Sequence, residues 1–176
     1  MRERGTAAIE LALAMVIMLM LAIGVYEWGT GFADRIAMTS AVREASRVGS
    51  AAGNLPAADC RIIEAAAGSL NAVAGNAVKA LWIYESDKDG IVGLSRQEYR
   101  PADEDEVGLE CSGGEWFATA NGWPASARVN SGANRDWLGV KVIVDHEWKT
   151  GFLWWNGSVE WEEDAVFHLE PAVVTG

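Results

Sequence analysis

The chain has 176 residues and a mass of 18.9 kDa, with 14 Lys and Arg against 25 Asp and Glu. The formal net charge of -11 argues against a general nucleic-acid-binding protein, because phosphate contacts need clustered basic side chains. Half of the residues (50%) are hydrophobic, which is too apolar for a disordered chain. Two cysteines exclude a four-cysteine zinc site, and two histidines leave little room for a histidine-based metalloenzyme.

The first element is an apolar segment, from Ala7 to Tyr26, whose one charged residue is Glu10. As a helix rising about 1.5 Å per residue, it is long enough to cross the roughly 30 Å hydrocarbon core of a bilayer. A cleaved signal peptide and a plain uncleaved anchor are the alternatives. The apolar run is longer than the roughly 7–15 residues of a signal peptide, and no clear small-x-small cleavage site follows it.

The charges that flank this span predict its orientation. Arg2 and Arg4 precede it and Glu27 follows it, so the positive-inside rule places the first residues in the cytoplasm and the remainder outside. Amphipathic aromatic side chains favour the headgroup layer, and several stand at the far end of the apolar run. The predicted membrane-interface residues are Tyr26, Trp28 and Phe32.

The carboxylate of Glu10 needs a partner, because a charge inside a span costs roughly 2.5–3.5 kcal/mol at the centre and less near the end. Gly5 precedes Glu10 by five residues. If the chain is cut after Gly5, the new amino terminus is Thr6, which shares a helix face with Glu10 at the i, i+4 spacing. The carboxylate can then neutralise that amine or the amine of a neighbouring copy, which is the layout of a prepilin.

The N-terminal sequence resembles TadE-like proteins, which are minor pilins or pseudopilins of tight-adherence pili. The residues that match the pattern of that family are Arg4, Gly5, Ala7, Ala8, Glu10, Glu27 and Gly29. Leu11 departs from it, since the family often has Phe or Tyr there, and Thr6 stands where ordinary type II pseudopilins have Phe. Residues 35–51 and the closing segment 168–171 are also similar to the family.

The resemblance implies a structural, non-enzymatic protein of the bacterial cytoplasmic (inner) membrane, single-pass, with an extracytoplasmic C-terminal domain. A prepilin peptidase would cut after Gly5, and Glu10 would pair with the Thr6 amine of a neighbouring pilin or pseudopilin subunit. The outer domain would prime, cap or anchor an adhesive pilus, within the filament or from the membrane. The implied partners are the peptidase, other pilin or pseudopilin subunits and membrane lipid, with no cofactor and no nucleic acid.

The predicted fold class is α+β, with a long N-terminal transmembrane helix that continues into a small domain with a second helix and an antiparallel sheet. The predicted segments are a leader (1–5), a transmembrane segment (6–28), a membrane-proximal amphipathic helix (29–52) and an extracytoplasmic domain (53–176). A bend is expected at the glycines of positions 24, 29 and 31. The amphipathic helix has one apolar stripe, formed by Met38, Val42, Ala45 and Gly49.

Beyond this helix, the hydrophobic periodicity predicts a helix over 57–73 and strands over 77–84, 139–148 and 160–169. Residues 85–115 are predicted to be an acidic loop, because carboxylates outnumber basic side chains there. In the strand over 139–148, the alternation predicts one buried face, formed by Val140, Val142 and Val144.

The two cysteines, Cys60 in the second predicted helix and Cys111 in the acidic loop, are predicted to form a disulfide, which an extracytoplasmic location permits. Closing the chain between them stabilises the fold by about 4 kcal/mol in the chain-entropy model. Two unrelated thiols are the alternative.

A weak metal candidate is formed by Glu85, Asp87 and Asp89, which with Gly90 resemble the first half of a calcium-binding loop. The twelfth position of such a loop is Arg96, where a bidentate Glu is needed, so a polar turn is the favoured interpretation.

Catalytic chemistry is not indicated, because His146 and His168 fall on predicted strands and no nucleophile-elbow motif is present. Most of the nine tryptophans are expected in the core. The alternative function is a membrane-anchored extracytoplasmic binding module for a sugar or a cation. It would use the adjacent Trp154 and Trp155, or the acidic run over 101–106.

Overall fold

The computed structural model describes residues 2–70, 78–102, 109–111, 114–151 and 156–171. In those ranges the chain forms two α-helices, six β-strands and a short 3-10 turn at Ala125–Ala127. The helices are α1 (Arg2–Ala52) and α2 (Ala58–Leu70). The strands are β1 (Val78–Ser86), β2 (Val92–Pro101), β3 (Leu109–Cys111), β4 (Gly114–Asn121), β5 (Trp137–Glu147) and β6 (Ser158–His168).

The described strands form one sheet in the order β3-β4-β2-β1-β5-β6, and every neighbouring pair is antiparallel. Helices α1 and α2 pack together against one face of this sheet. The predicted α+β fold, a long apolar helix that continues into a domain with a second helix and an antiparallel sheet, is therefore confirmed.

Helix α1 runs unbroken through the glycines at 24, 29 and 31, where a bend was expected. Its lower part, residues 5–22, is exposed along its whole length. Among the described residues, it is the one helix long and apolar enough to cross a membrane. A helix that is apolar on every side and unburied within its own protein suits a lipid environment.

The upper part of α1 is amphipathic, and its predicted apolar stripe is buried. Met38 and Val42 are almost fully buried, and burial of side chains of this size stabilises by about 1.5–3 kcal/mol each. Gly49 is the last residue of the stripe. A Cβ at this position would lie only 2.9 Å from Ile62 Cδ1 and 2.9 Å from Leu138 Cδ2, which is too close for a side chain. A glycine therefore lets α1 approach both α2 and β5.

Strand β5 lies between β1 and the edge strand β6. Val140, Val142 and Val144 are fully buried and pack in the main core, as their alternation predicted. On the opposite face, the ring of Tyr84 in β1 lies over Gly139, where a Cβ would come within 2.2 Å of the ring. The hydroxyl of Tyr84 donates a hydrogen bond to Asp164 Oδ2 at 2.9 Å.

The prediction of an acidic loop over 85–115 is wrong. Strands β2 and β3 lie in this segment, and β4 begins at Gly114. In β2, Gln97 and Tyr99 are buried while Arg96 and Glu98 form an ion pair on the other face. One face of the sheet remains in solvent, so charged side chains alternate with buried ones and mask the strand pattern. Residues 103–108, with most of the acidic run, lie outside the described residues.

Strand β6 is an edge strand that α1 covers in part. Ser46 Oγ donates to the carbonyl oxygen of Ala165 at 2.7 Å, and Ser50 Oγ donates to that of His168 at 2.6 Å. The N–H of Glu170 then donates to the carbonyl of Ser50 at 3.0 Å. Two serines one helical turn apart thus satisfy edge carbonyls that could otherwise pair with another chain.

Candidate functional site

The predicted processing and assembly residues, Gly5, Thr6 and Glu10, lie on the first turns of α1 and are exposed. Their neighbours Ile9 and Leu11 are 63% and 61% exposed. The carboxylate of Glu10 thus stands on an apolar helix surface that the domain leaves uncovered.

The predicted interface residues lie where α1 enters the domain. Tyr26, Trp28 and Phe32 are 55%, 59% and 62% exposed, and the ring centroids of Trp28 and Phe32 are 6.1 Å apart. Glu27, which stands between the first two in sequence, is fully buried. At this level the helix therefore presents aromatic side chains outward and a carboxylate toward the domain.

Glu27 binds the backbone that follows β5. Its Oε1 accepts the N–H of Thr150 at 2.5 Å, and its Oε2 accepts the N–H of Lys149 at 3.1 Å. Hydrogen bonds from amides to a carboxylate are charge-assisted and stronger than neutral ones. The end of the predicted span is thus fastened to the β5–β6 connection.

A second carboxylate of α1, Asp34, contacts the same region of β5. His146 Nδ1 donates to Asp34 Oδ2 at 2.7 Å, and both residues are buried. The imidazole stacks on Trp161 with centroids 4.3 Å apart and planes 4° apart, and it meets the edge of Trp148 at 5.0 Å. His146 Nε2 is buried and has no hydrogen-bond partner among the described atoms.

Glu27 and Asp34 share a helix face because they are two turns apart, and Gly31 stands between them on that face. A Cβ at Gly31 would come 3.0 Å from Trp161 Cη2 and 3.8 Å from His146 Nε2. Glycine at this position lets Trp161 lie directly on the helix backbone. We call the group formed by Glu27, Gly31, Asp34, His146 and Trp161 the junction cluster.

Beside the junction cluster lies a small cleft of about 70 Å³, lined by Trp28, Gly31, Phe32, Arg35, Trp148 and Trp161. Arg35 Nε donates to Glu163 Oε1 at 2.7 Å, which links α1 to β6 at the rim of the cleft. Aromatic rings supply most of the cleft wall.

Asp59, at the start of α2, is the centre of a second buried polar group. It accepts hydrogen bonds from the hydroxyl of Tyr99, at 2.7 Å, and from the guanidinium of Arg128. The guanidinium also lies 4.9 Å from the ring centroid of Trp123. Burial, together with the charge of Asp59, raises the pKa of Tyr99 above its usual range. This group joins α2, β2 and the segment after β4.

The structure joins Cys60 to Cys111 in a disulfide with Cα atoms 5.5 Å apart, so the predicted bridge is present. Cys111 ends β3, where a loop was expected. The bridge ties the edge of the sheet to α2.

The weak metal candidate is a turn between β1 and β2. Asp87 Oδ1 accepts the N–H groups of Asp89 at 2.9 Å and Ile91 at 3.0 Å, and these bonds lower the pKa of Asp87. Gly90 has a φ of 83°, as such a turn requires. Glu85 is part of β1 and pairs with Leu138. The polar turn therefore describes this segment, and no cluster of three metal-binding side chains occurs in the described ranges.

The histidines have packing partners. His168 Nε2 donates to the carbonyl of Arg135 at 3.1 Å, and its ring stacks on Trp137 at 4.7 Å. Trp154 and Trp155 lie outside the described residues.

The sequence analysis missed the partners of Glu27 and Asp34. Their partners stand more than 100 residues further along the chain, with separations of 122 and 123 for Glu27 and 112 for Asp34. One available signal was the seven-residue spacing of two carboxylates, which puts both on the helix face that carries the apolar stripe.

Comparison with known proteins gives one family. Residues 5–47 match the family model described as TadE-like protein. No curated protein and no solved structure matches the chain. The matched range begins at Gly5 and includes Glu10, Glu27 and Asp34. The N-terminal segment is therefore similar to TadE-like proteins over this range, as the motif predicted.

Proposed function

We propose that this chain is a minor pilin or pseudopilin of a tight-adherence pilus, cut by a prepilin peptidase after Gly5. The observation that carries the proposal is the exposed apolar helix with Gly5 and Glu10 at its start, within the range that matches TadE-like proteins. The role is structural, and no enzymatic step is assigned.

Glu10 acts in assembly. In a lipid environment its carboxylate is costly, at roughly 2.5–3.5 kcal/mol near the bilayer centre and less toward the end of the span. After cleavage, the amine of Thr6 from a neighbouring subunit supplies an opposite charge. The pairing sets the axial register between the two helices, while their apolar faces pack together.

The orientation follows from charge. Arg2 and Arg4 keep the first residues in the cytoplasm, so the domain lies outside the bacterial cytoplasmic membrane. The disulfide between Cys60 and Cys111 supports this topology, because such bonds persist in oxidising compartments. Prepilin peptidase, pilin or pseudopilin subunits and membrane lipid are the partners.

The test is Glu10→Gln, which keeps the side-chain shape and removes the charge. The matched control is Glu3→Gln, because this carboxylate leaves with the leader. We expect Glu10→Gln to lose pili while its domain stays accessible to protease at the cell surface, and Glu3→Gln to make normal pili. Normal pili with Glu10→Gln would contradict the proposal and favour a membrane-anchored binding module.

A further inference from the structure

We infer that the lower end of the domain, at Trp148, Lys149 and Trp161, lies in the phospholipid headgroup layer of the membrane that α1 spans. The aromatic cleft beside the junction cluster is then the surface that contacts lipid. This inference rests on the proposed function, because it requires α1 to be inserted in a bilayer.

The depth of this end of the domain follows from the bonds of Glu27. The amides of Lys149 and Thr150 both donate to the Glu27 carboxylate, so this backbone lies at the level of the last turn of the predicted span. A headgroup layer is roughly 5–7 Å thick on each side of the hydrocarbon core. At about 1.5 Å per residue, it covers about three to five helix residues, counted from Glu27 toward Gly31.

Contacts within this layer come from both the helix and the sheet. Trp161 approaches Gly31 closely, so this part of β6 lies at the same depth as Gly31. The ring of His146 stacks on Trp161, so the end of β5 lies at this depth as well. The other end of β5 lies farther from the membrane. Val144, close to His146, pairs with Val78 at one end of β1, whereas Trp137 pairs with Ser86 at the other end. An 11-residue strand at about 3.3 Å per residue extends roughly 35 Å.

The chemistry of the surface suits a zwitterionic headgroup layer. Trp28 and Phe32 are more than half exposed, and tryptophan favours the interface because its ring is amphipathic. The cation at the rim, Arg35, already pairs with Glu163. The exposed cation of Lys149 is offset by the exposed carboxylate of Glu147, so attraction to anionic lipid is weak and aromatic contact holds the domain on the bilayer.

The test uses the full chain in phosphatidylcholine vesicles with a nitroxide label on one introduced cysteine, the native disulfide being left oxidised. The test site is Lys149→Cys, whose backbone N–H remains available to Glu27. Leu19→Cys reports on the span, and Leu94→Cys, on a residue 98% exposed near the opposite end of the domain, reports on water. Collisions with oxygen and with a water-soluble nickel complex give the depth of each label.

We expect the Leu19 label in hydrocarbon, the Leu94 label in water and the Lys149 label at headgroup depth. A Lys149 label as accessible to nickel as the Leu94 label, with Leu19 in hydrocarbon, would overturn the inference and leave the proposed function standing. A Leu19 label in water would overturn both. Glu147→Cys, at the exposed end of β5, repeats the measurement if the Lys149 variant does not fold.

The lipid composition separates aromatic contact from charge attraction. We expect the same depth for the Glu147→Cys label, which keeps the Lys149 cation, when about a third of the lipid is anionic phosphatidylglycerol. A headgroup depth that occurs only with the anionic lipid would overturn the aromatic account.

Discussion

The two parts of α1 stand in opposite surroundings. Residues 5–22 are exposed and apolar, whereas the face of the upper part that carries Met38 and Val42 is buried against α2 and the sheet. The family match over residues 5–47 includes both parts. One uninterrupted helix thus combines an exposed apolar segment with a helix that packs in the core of a folded domain. The residues at which these roles meet are Glu27 and Asp34.

If this division is right, changes at the junction alter the domain, whereas changes in the lower helix alter assembly. The largest effect on stability is expected for His146→Phe. This variant leaves the Asp34 carboxylate buried without its partner, which costs about 3–5 kcal/mol. Urea unfolding of the full chain in detergent, followed by near-ultraviolet circular dichroism, measures the loss. The double variant Asp34→Leu with His146→Phe should recover much of it. Equal losses in the two variants would show that the loss of the hydrogen bond to Asp34 is not the cause.

Loss of the disulfide should change the free energy of unfolding by a similar amount. This bond lies at β3, the edge strand opposite β6. Replacing both Cys60 and Cys111 with Ala should lower the free energy of unfolding by about 4 kcal/mol, since a long loop is no longer closed in the unfolded chain. The same detergent assay measures it, with the reduced wild-type protein as a control. A double Ala variant as stable as the oxidised protein would contradict the prediction.

A smaller effect is expected for Glu27→Gln. The amide offers one oxygen to the two N–H donors that Glu27 now accepts, so one hydrogen bond to a charged group is lost, at about 1.5–3 kcal/mol. The matched control is Glu44→Gln on the exposed face of α1, for which we expect a much smaller change in the free energy of unfolding. Similar small changes for the two variants would mean that Glu27 does not fasten the domain to the helix.

The smallest effect on stability is expected at alkaline pH, and it involves residues of the domain only. Burial is the main cause that raises the pKa values of Tyr84 and Tyr99, and the carboxylates of Asp164 and Asp59 add to it. Both pKa values exceed the unfolded value of about 10. Since the folded state holds these protons more tightly, stability is complete below about pH 10 and falls as the pH rises further. Unfolding titrations from pH 8 to 11 should show a smaller slope for Tyr99→Phe. An unchanged slope would contradict this.

Local patterns explain which parts of the fold could be predicted. The stripe of Met38 and Val42 repeats with the helical period, and the valines of β5 alternate with the strand period, so each could be read within about ten residues. Strand β2 could not be predicted, because the charged side chains of Arg96 and Glu98 on its outer face resemble those of a loop. The partner of Asp34 could not be predicted either, because His146 reaches it only through the packing of β5 on α1.

The most direct test of the central claim is the mass of the N-terminal peptide of the protein taken from native membranes. The proposed function predicts a chain that begins at Thr6, which leaves Glu10 one helical turn from the new amine. A chain that still begins at Met1 would contradict prepilin processing, and α1 would then be a plain membrane anchor.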